Sequence, residues 1–425
     1  MSFDSVMGKT IYPVKSIAVG CDFISGYAFK GKDFTDADGH PIIKIKNIQD
    51  GKVTIKESQF IPKHLTGKKL EKFKLENGDI LIAMTGQGSV GRVGKLYIST
   101  TETPYLNQRV GKFLVDEENL NKEYLYYVLS CKAYENYLFA AGSGSGQPNL
   151  SPALIKAVEI PYPPYKSQCY IGKILSDLDE KIHLNNQINQ TLESIAQTIF
   201  KSWFIDFEPV RAKIIAKQEG KDTELAAMCA ISGKSEVELQ QMAEDDLAEL
   251  RATASLFPDE LVESELGEVP KGWELQSLYD TAEFVNGAAF KAKDFSSNTN
   301  EGLPIIKIAE LKQGLSAQTK YTNLSFDQKY RVRSGDIFYS WSGSPETSLD
   351  VFKWFGRDGW LNQHIFKINT ESKGKTYFVY YLLKYLKPTL IRLATNKQTT
   401  GLGHITVADM KSLQVIKSEE HIFIK

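Results

Sequence analysis

Gly26–Phe34 reads GYAFKGKDF, and Gly287–Phe295 reads GAAFKAKDF. A phrase that returns after 261 residues raises the question of duplication, which decides the fold class before any local reading does. The rest of the chain answers it. PIIKI at Pro41 recurs at Pro304, and NGDILIAMTG at Asn77 is matched by SGDIFYSWSG at Ser334. YLNQRVGKF at Tyr105 is matched by WLNQHIFKI at Trp360, and YLYYVLS at Tyr124 by FVYYLLK at Phe378. The order is the same in both halves, and the offset stays close: Phe29 to Phe290 is 261, Gly78 to Gly335 is 257, and Leu106 to Leu361 is 255. Each copy mixes α and β. PIIKI and GDILIAM are short aliphatic runs bounded by Gly, Pro or Asp, which predicts buried strands. Asn121–Leu138 spaces its apolar residues as a helix does. The loops differ most: MTGQGSVGRVG from Met84 faces WSGSPETSLDVFK from Trp341, and AGSGSGQPNLS from Ala141 faces TNKQTTGLGHIT from Thr395. One scaffold with divergent loops is the pattern of two binding domains with different targets.

Between the copies the period changes. Ile171, Ile174, Leu178, Ile182, Asn185, Ile188, Leu192, Ile195 and Ile199 are three or four residues apart. A mean step of about 3.5 residues is a heptad seam, which predicts a coiled-coil helix in need of a facing partner. Asn185 on that seam favours one register at a cost in stability. Roughly 40 residues of helix span about 60 Å. Pro163-Pro164 precedes the run as a hinge, and Pro209 ends it after Phe207. Beyond it the chain is polar and helix-prone, and Ser235 with Glu238 has the spacing of a capping box.

The net charge of −1 conceals an asymmetry. Residues 1–166 carry +4, residues 167–270 carry −11, and residues 271–425 carry +6. Two mildly basic blocks flank an acidic middle, and a basic surface attracts a polyanion through counterion release. No apolar run is long enough for a membrane span, and the N-terminus carries no secretory pattern. Cys21, Cys131, Cys169 and Cys229 are too scattered for a metal pair or a disulfide framework, so buried or incidental thiols in a reducing cytoplasm are expected.

Enzyme motifs are weak. Phe139–Tyr165 carries three alternating glycines and then Pro163-Pro164-Tyr165, a combination that invites a methyltransferase reading. The residue before the prolines is Tyr162, which cannot accept a hydrogen bond as a carboxylate or amide does. The span from Asn149 to Tyr162 is also too short for the alternating strand–helix core such an enzyme needs. The glycines read instead as a flexible turn, followed by a short helix and a strand. Asp294 with Glu310-Leu311-Lys312 could pass for a nuclease triad, but the other copy has Asn47 and Gln49 there, so a surface pair in a turn is expected. The six histidines show no ligand spacing.

Two similar domains around a long helix resemble the DNA-specificity subunit of type I restriction–modification systems. Leu175–Lys213, LSDLDEKIHLNNQINQTLESIAQTIFKSWFIDFEPVRAK, is similar to that family's central conserved region. SELGEVPKGWE from Ser264 is similar to its lead-in to the second domain, and GSGQPNLS followed by IPYPP to the close of its first. The resemblance implies an α+β architecture of two target recognition domains separated by a coiled-coil helix. The expected divisions are 1–164 (first recognition domain), 165–208 (spacer helix), 209–270 (acidic helical connector) and 271–425 (second recognition domain). It also implies a non-catalytic subunit that reads a bipartite double-stranded DNA site for bacterial defence. Modification subunits that bind S-adenosylmethionine would methylate adenine, and a restriction subunit using ATP and Mg would translocate and cut. The chain itself would hold no cofactor or metal. The family's second long helix is expected after the second domain, and the sequence stops at Lys425 where it should start. That leaves three readings: a truncated or rearranged gene, a helix supplied by another chain, or self-association through the seam. The rival class is a protein-binding scaffold.

Loop residues with amide, hydroxyl or basic side chains near glycine are the candidate DNA contacts. In the first copy they are Lys30, Lys32, Thr85, Gln87, Ser89, Arg92, Asn107, Gln108, Arg109, Ser143, Ser145 and Gln147. In the second they are Lys291, Lys293, Ser340, Trp341, Ser342, Asn362, Gln363, His364, Lys397 and Gln398. Gln and Arg can bond two atoms of one base edge, whereas Lys and Ser suit phosphates. Asn107-Gln108 returns as Asn362-Gln363, so this pair could equally be structural, since a shared pair cannot encode two different targets.

Overall fold

The computed structural model describes residues 8–36, 38–65, 67–98, 101–142, 148–296, 301–397 and 402–417. Ser143, Ser145, Gln147 and Gln398 fall outside them. The chain forms two compact units, Met1–Ile188 and Asn189–Lys425.

In the first unit the strands Cys21–Ser25, Val110–Val115, Ile80–Ala83 and Val93–Leu96 pair antiparallel in that order, and Lys52–Val53 and Ile48–Gln49 extend the sheet. A second sheet holds His40–Ile43 between Gln59–Ile61 and Tyr105–Leu106. Alternation along a strand sends successive side chains to opposite faces. Ile80 and Ile82 therefore join Phe23, Phe113, Leu125 and Leu129 under the helices Lys122–Ser130 and Lys132–Gly142. Leu81 and Ala83 join Ile42, Ile43 and Leu106 beneath the second sheet. The strand is buried on both faces, which is why its sequence reads as a continuous apolar run.

The second unit repeats the plan. Glu283–Asn286, Ile365–Asn369, Ile337–Ser340 and Asp350–Lys353 form its sheet, and Leu303–Ile306 pairs parallel with Gly359–Leu361. The parallel registers correspond: Ile42 faces Tyr105 in one unit and Ile305 faces Trp360 in the other. A strand pair near the ends of each copy closes it, Val14–Ser16 with Glu159–Pro161 and Glu274–Ser277 with Gln414–Lys417. The expected short helix and strand after the glycines are Pro152–Lys156 and Glu159–Pro161.

The helix Tyr165–Phe204 runs from one unit into the other. At its start Gln168 is fully buried. Its Oε1 accepts from the Asn121 amide at 2.9 Å and its Nε2 donates to the Pro163 carbonyl at 3.0 Å. Gly172 sits where a Cβ would meet Asn121 Oδ1 at 2.7 Å, so only glycine lets the helix lie this close. At its end Phe200 and Phe204 stack on Phe378 with centroids 5.5 and 5.0 Å apart, and Phe204 meets Trp273 at 5.9 Å. Phe207 breaks the helix in a left-handed conformation, φ 54°, and Pro209 lies in the first turn of the next, Glu208–Gln218. The acidic stretch that follows is not loose. Its helices bury Ala227, Met228, Leu239 and Ala254 together, and Lys213 is buried with its ammonium bonded to Glu224 at 2.6 Å and the Phe257 carbonyl at 2.8 Å. Ser235 and Glu238 form the reciprocal cap. Among the described residues no helix is long and apolar enough to cross a membrane.

Candidate nucleic-acid interface

The divergent loops leave each unit from one repeated backbone frame. In the first unit the strand Ile80–Ala83 runs on into Met84, whose amide donates to the Arg109 carbonyl at 3.0 Å. The Met84 carbonyl accepts from the Leu150 amide at 2.8 Å, and Thr85 bridges Asn149. In the second unit Trp341 donates to the His364 carbonyl at 3.4 Å and accepts from the Ile405 amide at 2.9 Å, and Ser342 pairs with His404. Thr85 therefore corresponds to Ser342, Arg109 to His364, and Asn149 to His404. The residue two positions on, Ser151 or Thr406, caps a short helix in both.

The turn that presents Arg109 and His364 is also shared. Gly26 and Gly287 each lie so close to the next chain that an added Cβ would stand 2.2 Å from the carbonyl oxygen of Asn107 or Asn362. Tyr27 and Ala288 then bond the Leu106 and Leu361 carbonyls at 2.9 and 2.8 Å. Asn107 is buried, and its backbone N–H donates to the Ile43 carbonyl at 3.2 Å; the backbone N–H of Asn362 does the same to Ile306 at 3.1 Å. Of the two readings of this pair, its asparagine member belongs to the frame, whereas Gln108 and Arg109 are exposed.

The frame brings Thr85, Asn107, Gln108 and Arg109 together in one unit, and Trp341, Ser342, Asn362, Gln363 and His364 in the other. Thr85 Oγ1 is buried with no hydrogen-bond partner among the described residues. Trp341 donates its indole N–H to Asn286 Oδ1 at 3.0 Å and lies 5.5 Å from the His364 ring and 6.1 Å from the His404 ring, centroid to centroid. Burial against these neighbours, and then the His404 ring, lower the His364 pKa from its ordinary value. The remaining candidates are placed differently. Lys30 and Lys32 are exposed around the turn Gly31–Asp33, and Lys291 and Lys293 around its counterpart Ala292–Asp294. Gln87 is exposed and Ser89 half-buried. Arg92 curls back to bond the Gly88 carbonyl and lies 3.8 Å from Glu135. Lys397 is exposed but ion-paired with Asp409. Ser340 is fully buried on its strand, one pleat before the loop, and does not reach the surface.

Three further observations bear on chemistry. Glu310 is not in the expected surface pair: it is buried, accepts from Thr319 Oγ1 at 3.0 Å, and caps the helix Ile308–Gln313 through the Lys307 amide at 3.1 Å. Asn47 performs the same cap in the first unit, bonding the Lys44 amide at 2.9 Å, which is why Asn and Glu interchange at this position. Tyr162 donates its hydroxyl to the Asn119 carbonyl at 2.7 Å, and the helix starts at Tyr165 immediately after the prolines. Cys21 is free, and burial pushes its thiol up to about 12. Among the described residues no group of three or more His, Cys, Asp or Glu is placed to hold a metal ion.

The spacer-helix seam forms a stripe. Ile171 packs against the first unit, but Leu178, Ile182, Ile188 and Leu192 are 52–57% exposed, with Ile174, Ile195, Ile199 and Asn185 exposed beside them.

A family model described as "Type I restriction modification DNA specificity domain" matches residues 17–194 and 270–416. The chain is 32% identical over 370 residues to the type I restriction enzyme HindI specificity subunit of Haemophilus influenzae, covering 82% of this chain and 79% of that one. It is 24% identical over 353 residues to the MjaIX specificity subunit of Methanocaldococcus jannaschii, covering 81% and 68%. Among solved structures, the S subunit of a type I restriction–modification system from M. genitalium aligns with a TM-score of 0.48 at 13% identity, covering 97% of this chain and 86% of that one.

Proposed function

The chain belongs to the type I restriction–modification DNA-specificity family, and from that premise we propose that each of its two units reads one half of a bipartite double-stranded DNA site. The observation that carries this reading is the repeated frame. Identical backbone bonding presents Thr85, Gln108 and Arg109 from one unit and Ser342, Gln363 and His364 from the other. A conserved scaffold with different side chains at one rim suits two base sequences, because bases are distinguished by the donors and acceptors on their groove edges. The basic balance of the two repeat blocks supports a polyanion as ligand.

The subunit is non-catalytic. Modification subunits that use S-adenosylmethionine methylate adenine at the site it selects, and a restriction subunit with ATP and Mg cuts. The exposed heptad stripe supports assembly, since a seam of this kind needs a facing helix. In the isolated chain a second copy supplies it. Arg109→Ala tests the reading directly: it weakens binding to duplexes that carry the first half-site and leaves discrimination in the second half unchanged. Equal loss on duplexes altered in either half contradicts it.

A further inference from the structure

The frame singles out a position in each unit that composition and glycine spacing did not mark. Asn149 and His404 occupy it, each exposed and each directly across from the loop that carries the unit's other divergent residues. His404 is held: its Nδ1 lies 2.8 Å from the hydroxyl of Ser342, and Ser342 is itself buried. The Trp341 indole lies beside both rings, its centroid 6.1 Å from that of His404 and 5.5 Å from that of His364. With Nδ1 engaged by Ser342, the opposite ring nitrogen, Nε2, has no partner among the described residues and is left for an outside one.

We propose that His404 is a specificity-determining residue for the second half-site and that Asn149 has the same role in the first. This rests on the reading of the two units as DNA readers. The ligand chemistry at the position is a base edge. An imidazole engaged at one nitrogen offers a single hydrogen-bonding group at the other, whereas an asparagine amide offers one donor and one acceptor and can bond adenine at two atoms. The neighbouring pair diverges in the same sense. Arg109 presents several fixed donors, whereas His364, whose lowered pKa favours the neutral ring, has its Nε2 3.2 Å from the Gln363 side-chain amide and keeps only Nδ1 for an outside partner. Partly exposed rings backed by a fixed tryptophan are also pre-positioned, so little side-chain freedom is lost on contact.

The test uses the full chain reconstituted with its modification subunits, acting on unmethylated genomic DNA whose methylated positions are then sequenced. His404→Asn and Asn149→His place in each frame a side chain that the other frame already carries, and thermal denaturation checks that both variants fold. His404→Asn is expected to relax or change one or two positions of the second half by about tenfold or more, with the first half kept. Asn149→His is expected to do the reverse. Unchanged motifs in both variants overturn the proposal. So does degradation of both halves together, which would mark a structural role. If the unsubstituted complex methylates no bipartite motif, the DNA-reading function fails first and this inference with it.

Discussion

At the residue scale the two copies share an ion pair at the same place, buried at its aspartate in the first unit and half-buried in the second. Asp79 accepts from the Glu76 amide at 2.7 Å and pairs with Lys112 at 2.6 Å; Asp336 accepts from the Arg333 amide at 2.8 Å and pairs with Lys367 at 2.7 Å. Removing one partner of such a pair leaves the other buried and uncompensated. Asp79→Ala is therefore expected to destabilise the first unit by about 3–5 kcal/mol, read as a lower urea midpoint. A shift within about 0.5 kcal/mol would mean that the pair is no more than a surface contact. The same scale shows what could be read in advance. Trp341, His364 and Arg109 could be read as loop positions because they diverge inside an otherwise repeated phrase. The burial of Ser340 could not, because it belongs to the strand and only the pleat tells it from Trp341. The correspondence of Asn149 with His404 was not visible, because they follow glycine-rich stretches of unequal character and only backbone pairing aligns them.

At the element scale the spacer helix was the clearest signal, since a 3.5-residue period over Ile171–Ile199 has no strand alternative. Its start was legible from Pro164, and the structure places it at Tyr165; its end was not, because the helix stops at Phe204 and Pro209, expected to break it after Phe207, opens the next helix instead. The sequence could not say that the helix is anchored by Gln168 and Gly172 at one end and by phenylalanines at the other, because these contacts come from residues distant in the chain. The acidic connector was legible as helix but not as a packed cluster, nor was the hairpin of Leu261–Ser264 with Gly267–Pro270. Because the exposed seam is not needed to fold either unit, Ile182→Glu with Ile188→Glu is expected to leave thermal stability nearly unchanged. It should abolish self-association of the isolated chain at micromolar concentration, followed by light scattering. A clean monomer before substitution contradicts the role given to the seam.

At the scale of the whole molecule, duplication explains both the fold and its use. Five matched phrases predicted two mixed α/β units, and the structure repeats their registers, caps and glycine contacts. The shared frame fixes how loops are presented, and the loops are free to differ. That division is why the fold was legible from one sequence while a ligand preference is not: backbone geometry leaves a pattern in the chain, whereas the preference proposed for each unit rests on a few side chains. The central claim is that two units of one chain select two halves of one DNA site. Sequencing methylated positions in the source genome, with this gene intact and deleted, tests it most directly. The account predicts a bipartite adenine-methylation motif that is present with the gene and lost without it. An unchanged methylation pattern after deletion would contradict it.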